Sequence, residues 1–360
     1  MRPICLTGWL LLAISTFAGC ASREPREVAF FPSTVAVASD GSADLIVQGR
    51  VFRRAPSVPQ GSRELDVDVA AIAPAQRAMA EIYDERVRLL RSSGSNDALS
   101  INVGGEIHQL TPGEAGYFRK SIALSQQQLQ SLAADGFVGF HDASGLASGK
   151  AAVVPNGALM VLTDMDDTIK ISEMTCFLCK VKRAFYLPHE AVPGMKEQYQ
   201  KWKADMGPAI HFHVVSAGPW QWQLPLQKFT DQQQAPGQPK FPQFTWDMRV
   251  TELSTLAGYI KEAGHGGPLP FKVNTIRELM DRFPESQFVL IGDSGEKDPE
   301  VFATMLGQDG MDGKDNYAAR IKHVFIRNIT GDLPGNARYQ PIGRKLLLFS
   351  TPSELPASLR

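Results

Sequence analysis

Two aspartates two residues apart, Asp164 and Asp166, stand at the end of the run Leu159 to Asp164 (LMVLTD), which reads as a parallel strand buried on both faces. At a strand end both carboxylates can aim into the same space, and like charges held that close need a cation or a shared proton. Asp167, next in line, suits an acidic turn. A second strand-like run, Ile210 to Val215, delivers Ser216 into Ala217-Gly218-Pro219, where a hydroxyl and backbone N–H groups can hold an oxyanion. Lys272 opens a helical stretch reaching Phe283, where its charge opposes the helix dipole, a placement that suits a lysine kept for an anion. A third run ends Ile291-Gly292-Asp293 and continues through Ser294-Gly295 to Asp298-Pro299, adding two carboxylates on a glycine-rich turn. Hard oxygen donors gathered in this way suit a magnesium ion that keeps several waters.

These residues need a scaffold that brings strand ends together. From residue 157 onward, strand-like runs (Leu159 to Asp164, Ile210 to Val215, Gln287 to Ile291, Ile321 to Ile326) alternate with helical stretches at Gly194 to Ala204, Gln221 to Phe229, Lys272 to Phe283 and Pro299 to Leu306. That grammar predicts an α/β fold, an open and mostly parallel sheet with helices on both faces. In such sheets the chemistry lies outside the carboxyl ends of the strands, where Asp164, Ser216 and Asp293 fall.

In chain order, a DxDxT loop after one strand, a serine after the next, a lysine on a helix and a GD...D turn resemble the haloacid dehalogenase superfamily. Asp164 to Lys170 (DMDDTIK), Val215 to Trp220 (VSAGPW), Phe271-Lys272 with Ile276, and Ile291 to Glu300 (IGDSGEKDPE) are similar, more closely, to the catalytic domain of the actin-patch phosphatidate phosphatase family. The resemblance covers roughly residues 155 to 350. It implies a haloacid dehalogenase-like Rossmannoid domain and the hydrolysis of phosphatidate, or a related lipid phosphomonoester, to diacylglycerol and phosphate. It further implies Asp164 as nucleophile, Asp166 as general acid and base, Thr168 as the residue orienting the loop, and Ser216 and Lys272 as holders of the phosphoryl oxygens. Mg²⁺ would be bound by Asp164, the backbone carbonyl of Asp166, Asp293 and, directly or through another group, Asp298. Residues 172 to 193 depart from the family pattern, and substrate choice is expected to lie there.

Ahead of this domain, residues 40–150 alternate in strand fashion, at Asp44 to Arg53, Ser100 to Val103, Tyr117 to Leu124 and Phe137 to Phe140. One helix interrupts them after Pro74, with Met79, Ile82, Tyr83, Leu89 and Leu90 on one face. The expectation is a small, mostly antiparallel β-sandwich, similar to the domain that precedes the catalytic one in bacterial members of the family and without catalytic residues of its own, with the phosphatase domain occupying 151–360. Residues 20–39, polar and proline-bearing, read as a tether. Residues 1–19 read as a signal peptide: Arg2, the apolar run Trp9 to Ile14, then Phe17-Ala18-Gly19-Cys20, which resembles the bacterial lipobox and implies diacylation of Cys20. Ala21 and Ser22 in place of aspartate point to the outer membrane, facing the periplasm. The apolar run is too short for a stable span.

Composition narrows the partners. With 43% hydrophobic and 21% charged residues the chain is globular, and a formal net charge of −1 leaves no surplus to hold nucleic acid or an anionic membrane by charge alone. The expected partners are a lipid phosphomonoester and, through an acylated Cys20, a membrane. Two other readings compete: a phosphatase of soluble phosphomonoesters, and a surface-anchored binding lipoprotein with a vestigial phosphatase domain. Retention of Asp164, Asp166, Ser216, Lys272 and Asp293 argues against the second. Three further features stay open. Cys176 and Cys179 could form a local disulfide, a dithiol or half a zinc site. His211 and His213 share one strand face and could be core residues or ligands. Trp220, Trp222 and Leu224, beside Ser216, could line an acyl-chain groove or pack a helix.

Overall fold

The structure is a computed structural model and describes residues 25–57, 77–232, 239–250, 268–307 and 317–360. Cys20 and the signal segment lie outside the described residues, as does the start of the helix expected after Pro74.

The N-terminal part is a ten-stranded, mostly antiparallel sheet: β1 (Arg26–Phe31), β2 (Ser33–Val37), β3 (Ala43–Arg53), β4 (Ser93–Gly94), β5 (Leu99–Val103), β6 (Glu106–Leu110), β7 (Tyr117–Leu124), β8 (Ala133–Ala134), β9 (Phe137–Asp142) and β10 (Ser148–Val154). The path runs β1-β3-β2-β10-β9-β5-β6, with β7 and β4 on β3 and β8 on β9. Hydrogen bonds thus join the strands in one sheet. It keeps its own apolar core, in which Phe30 sets its ring against both Phe118 and Phe140. Helix α1 (Arg77–Arg91) enters between β3 and β4, and α2 (Gln126–Leu132) is started by a capping box in which Ser125 and Gln128 satisfy each other's N–H groups.

Two expectations about boundaries are corrected. Much of the stretch read as a tether, Arg26–Val37, is strand, because Phe30, Phe31 and Val35 bury against the sheet while the polar residues that suggested a linker sit before them. The border placed between residues 150 and 151 cuts through β10, whose last four residues pair in parallel with β2. The change of sheet falls at Pro155–Ala158.

The C-terminal part is a six-stranded sheet in the order β13-β12-β11-β14-β15-β16, parallel throughout, made of β11 (Leu159–Thr163), β12 (Ile210–Pro219), β13 (Phe244–Arg249), β14 (Gln287–Asp293), β15 (Ile321–Arg327) and β16 (Leu346–Phe349). Alternation along β11 sorts its side chains. Leu159 and Val161 join one core with α3 (Phe177–Phe185), α4 (Met195–Met206) and α5 (Gln223–Asp231). Met160 and Leu162 join another with α6 (Pro268–Arg282) and α7 (Asp298–Gly307). A parallel strand covered on both faces reads as a continuous apolar run, which is why β11 was legible.

The two sheets are docked by buried polar contacts as well as apolar ones. The N–H of Trp246 donates to Pro32 O (3.1 Å) and Gln48 Nε2 donates to Trp246 O (2.7 Å). Phe31 stacks on Trp220 with ring centroids 4.3 Å apart. Arg119 on β7 reaches Asp247 on β13 at 2.6 Å, and His213 Nε2 lies 3.2 Å from the other carboxylate oxygen. Burial alone would raise Asp247; the guanidinium of Arg119 and the neighbouring His213 outweigh it and hold the carboxyl below its usual value. Arg119→Met would strand this carboxylate between the sheets at a cost of about 3 kcal/mol. Urea unfolding followed by tryptophan fluorescence should show that loss. A loss under about 1 kcal/mol would mean that the pair behaves like an exposed one.

Candidate active site

Asp164 follows β11, the strand in the middle of the parallel sheet, and its N–H donates to Ile291 O on β14 (2.8 Å). Its carboxylate is buried. Oδ1 accepts from Lys272 Nζ at 2.8 Å, while Oδ2 has no hydrogen-bond partner among the described residues. Lys272 lies in the second turn of α6, not at its first residue, and also donates to Asp298, the first residue of α7. The other oxygen of Asp298 accepts the N–H of Asp293 (3.2 Å). This close approach explains Gly292: a β-carbon there would run into the Asp298 carboxylate.

Asp293 closes β14. Its Oδ1 accepts the N–H of Gly295 (2.6 Å), and its buried Oδ2, like that of Asp164, is unpartnered among the described residues. Asp164, Asp293 and Glu296 each offer an oxygen, and these atoms lie within 4.8 Å of one another. Burial, the dominant effect, pushes all three carboxyls up, with Asp298 adding repulsion in each case. Lys272 is raised as well, for a different reason: burial alone would lower it, but Asp164 and Asp298 hold it well above its usual value. One lysine faces four carboxylates here. A divalent cation is the group that such a donor set fits.

Asp166, two residues on from Asp164, takes its hydrogen bonds from outside this cluster. Its Oδ1 accepts from Lys170 Nζ at 2.6 Å and from Ser172 Oγ at 2.5 Å, and Lys170 in turn donates to Ser172 Oγ (2.5 Å). Burial would raise Asp166, but the Lys170 charge and these hydrogen bonds outweigh it and hold it ionised. Asp167 takes a left-handed conformation (φ 54°), and its carboxylate accepts the N–H groups of Ser172, Glu173 and Met174 at 2.8, 2.9 and 2.6 Å. It is therefore the organiser of the loop that follows. Thr168 is fully buried, with no partner for its hydroxyl among the described residues.

Ser216 is buried on β12 and accepts the N–H of Gly218 (3.1 Å). The strand continues through Ala217-Gly218 to Pro219. A cavity opens between Asp166 and Ser216, lined also by Lys170, Lys180, Trp222 and Met248. The structure thus gathers Asp164, Lys272, Asp293 and Asp298 in one cluster, with Asp166 and Ser216 on the cavity beside it. Sequence reasoning missed Glu296, Lys170 and Ser172. Glu296 and Lys170 lie inside the motifs that drew attention, but their roles appear only from distances across the turn.

The open features resolve. Cys176 and Cys179 form a disulfide. His211 and His213 both bond Thr245 Oγ1 at 2.7 Å and are core residues; burial lowers His211 to about 3. Trp220 packs between the sheets against Phe31 and Tyr117, Leu224 packs on the core, and Trp222 reaches the cavity.

Comparison with known proteins follows the same residues. Residues 159–328 match the family described as phosphatidate phosphatase APP1, catalytic domain. An uncharacterised protein of Schizosaccharomyces pombe is 24% identical over 191 residues, 52% of this chain and 28% of that protein, so the match spans under a third of that relative. Among solved structures, a carbohydrate esterase is 8% identical with a TM-score of 0.24, covering 84% of this chain and 88% of its own. A family two carbohydrate esterase from Cellvibrio japonicus is 9% identical with a TM-score of 0.20, covering 87% of this chain and 91% of its own. At such scores neither carries weight. The family match falls on the parallel sheet and includes every carboxylate of the cluster, so it is the part of the chain holding the candidate site that is similar to the phosphatidate phosphatase APP1 catalytic domain.

Proposed function

We propose that this chain is a Mg²⁺-dependent phosphatidate phosphatase built on a haloacid dehalogenase-like domain, working through an aspartyl-phosphate. The observation that carries the reading is the pair of buried, unpartnered carboxylate oxygens on Asp164 and Asp293, beside a lysine and within reach of Glu296. A parallel sheet with β11 in its middle and helices on both faces supports the fold assignment.

Asp164, Asp293 and Glu296 would hold the metal. When bound, Mg²⁺ supplies positive charge that offsets the repulsion between a carboxylate nucleophile and a phosphate dianion. Asp298, expected as a ligand, has both oxygens engaged by Lys272 and the Asp293 N–H, so its role here is to fix the lysine. Asp164 attacks phosphorus, the bond to the lipid alcohol breaks, and Asp166 gives its proton to that alkoxide. Asp166 then takes a proton from water, which attacks the aspartyl-phosphate and frees inorganic phosphate and Asp164. The ionised Asp166 of this structure suits the second half; a phosphate dianion arriving beside it raises its proton affinity for the first. Lys272 and Ser216 hold phosphoryl oxygens, and the cavity from Asp166 to Trp222 receives the alcohol.

The lipid reading rests on the family match and on a lipobox-like Cys20, which would keep the site near its substrate. An acylated, exported chain also accords with the Cys176–Cys179 disulfide, since such bonds persist in oxidising compartments. Outer-membrane anchoring facing the periplasm is the proposed location. Phosphatidate in mixed micelles should be hydrolysed faster than glycerol phosphate at equal bulk concentration, and equal or reversed rates would favour a soluble substrate.

Asp164→Asn should lose all phosphate release in Mg²⁺ with the fold intact by circular dichroism. Asp166→Asn should fall by roughly 10²–10⁴-fold on phosphatidate and recover for the first step with an aryl phosphate, whose leaving group needs little protonation. Trapping of the acyl-phosphate and peptide mapping check the assignment; a phosphoryl group on any residue other than Asp164 would falsify it. Cys20→Ser should abolish incorporation of labelled fatty acid, and a variant that is still labelled would remove the anchor from the reading.

A further inference from the structure

The segment 172–193, expected from sequence to depart from the family pattern, contains a feature that phosphoryl chemistry does not use. Phe177 and Leu178, adjacent in sequence, are 49% and 52% exposed although both are large and apolar. They lie in the first turn of α3, between the two cysteines of the disulfide, and Cys176 Sγ also accepts the N–H of Cys179 (3.3 Å). This turn is therefore closed covalently at its tip.

The rest of α3 is held just as firmly. Val181, Ala184 and Phe185 are buried, and Arg86 of α1 donates to the carbonyls of Arg183 and Ala184 at 3.0 and 2.8 Å. Upstream, the Asp167 carboxylate pins residues 172–174 through three N–H groups. The exposed pair is thus presented on a rigid support. Behind it come Lys180 and Lys182, α3 itself contains no acidic residue, and Arg183 is taken up by Glu173 and Glu190 at 2.8 and 3.1 Å. Helical spacing puts Lys180 on the side of Phe177 and Lys182 on the side of Leu178. Lys180 also lines the cavity that opens on Asp166 and Ser216. An apolar tip with a cationic collar, set at the mouth of the site, has the amphipathic chemistry of an interfacial seat on an anionic bilayer.

We propose that the turn Cys176–Cys179, with Lys180 and Lys182, seats the mouth of the site on an anionic phospholipid surface. Phe177 and Leu178 enter the acyl boundary and the lysines lie among the headgroups, so that a lipid phosphate enters the cavity without leaving the bilayer. This deepens the lipid-substrate reading and rests on it. Charge favours this occupant over a second copy of the chain, whose own α3 would bring like charges together.

The test uses the full chain with its disulfide intact. Phe177→Trp is mixed with vesicles of phosphatidylcholine and phosphatidylglycerol whose acyl chains are brominated, and the wild-type signal is subtracted. The added indole should shift to the blue and be quenched, less so without phosphatidylglycerol. No quenching, or quenching indifferent to the anionic lipid, would overturn the seat even if phosphatidate is hydrolysed; quenching in a chain without phosphatase activity would uphold the seat and remove the proposed activity. Phe177→Ser with Leu178→Ser should raise the vesicle concentration for half-maximal hydrolysis by about tenfold. Hydrolysis of water-soluble glycerol phosphate should not change. Equal losses on both substrates would make the tip a part of the fold, and a lipid-independent change in sedimentation would make it a self-association surface; either result overturns the proposal.

Discussion

Four carboxylates, Asp164, Asp293, Glu296 and Asp298, converge on the buried ammonium group of Lys272, and the rest of the catalytic half is arranged around that imbalance. A buried charge without a partner is costly, and one cation cannot offset four anions. The fold tolerates the cluster because the strands and helices that carry it are heavily packed on both faces. It also divides the acids by role. Asp298 takes the lysine and a backbone N–H, which fixes the lysine; the second oxygens of Asp164 and Asp293 are left free of hydrogen bonds among the described residues. The cluster thus separates a clamp on the lysine from two buried oxygens that stay open to a ligand.

A second division separates Asp166 from Asp164. Both belong to one loop, yet Asp164 is pushed up by burial and then by the acids around it, whereas Asp166, though buried, faces Lys170 and Ser172 and is held down. Two carboxylates whose surroundings drive their proton affinities apart are suited to different tasks. Lys170 makes this possible from four residues away, so the motif Asp164 to Lys170 contains both acids and the cation that distinguishes them.

Legibility followed burial. β11, β12 and β14 could be read from sequence because strands covered on both faces are continuous apolar runs, and Asp164, Ser216 and Asp293 came with them. β13 (FTWDMR) could not, because Asp247 interrupts it and the arginine that makes a buried aspartate tolerable lies 128 residues earlier. β1 and β2 follow a polar, proline-bearing stretch, and only tertiary contacts such as Phe31 on Trp220 reveal them as strands. Helix α3 has its buried residues at helical spacing, but the cysteine pair at its start competes for attention with that signal. Glu296 was visible as a residue and not as a member of the cluster, since its membership depends on how the turn after β14 folds back.

The contacts of α1 and β1 give the N-terminal sheet a part in the site although it contributes no residue to the carboxylate cluster. Tyr83 of α1 stacks on Tyr186 at 4.9 Å, Arg86 satisfies the last carbonyls of α3, and Phe31 braces Trp220 at the end of the strand that carries Ser216. Helix ends with unpaired carbonyls fray, and α3 is only nine residues long, too short to hold itself in water. Its position is therefore set from outside, by the N-terminal part at one end and by the Asp167 carboxylate at the other. The same loop that supplies the proposed nucleophile anchors the segment proposed to meet the substrate, so in that reading the alignment of chemistry and recognition depends on Asp167 and Arg86 together. Neither residue needs to touch substrate for that alignment to matter: the cavity is bounded by α3 on one side and by the end of β12 on the other, and each boundary is held in place by the N-terminal sheet and its helix.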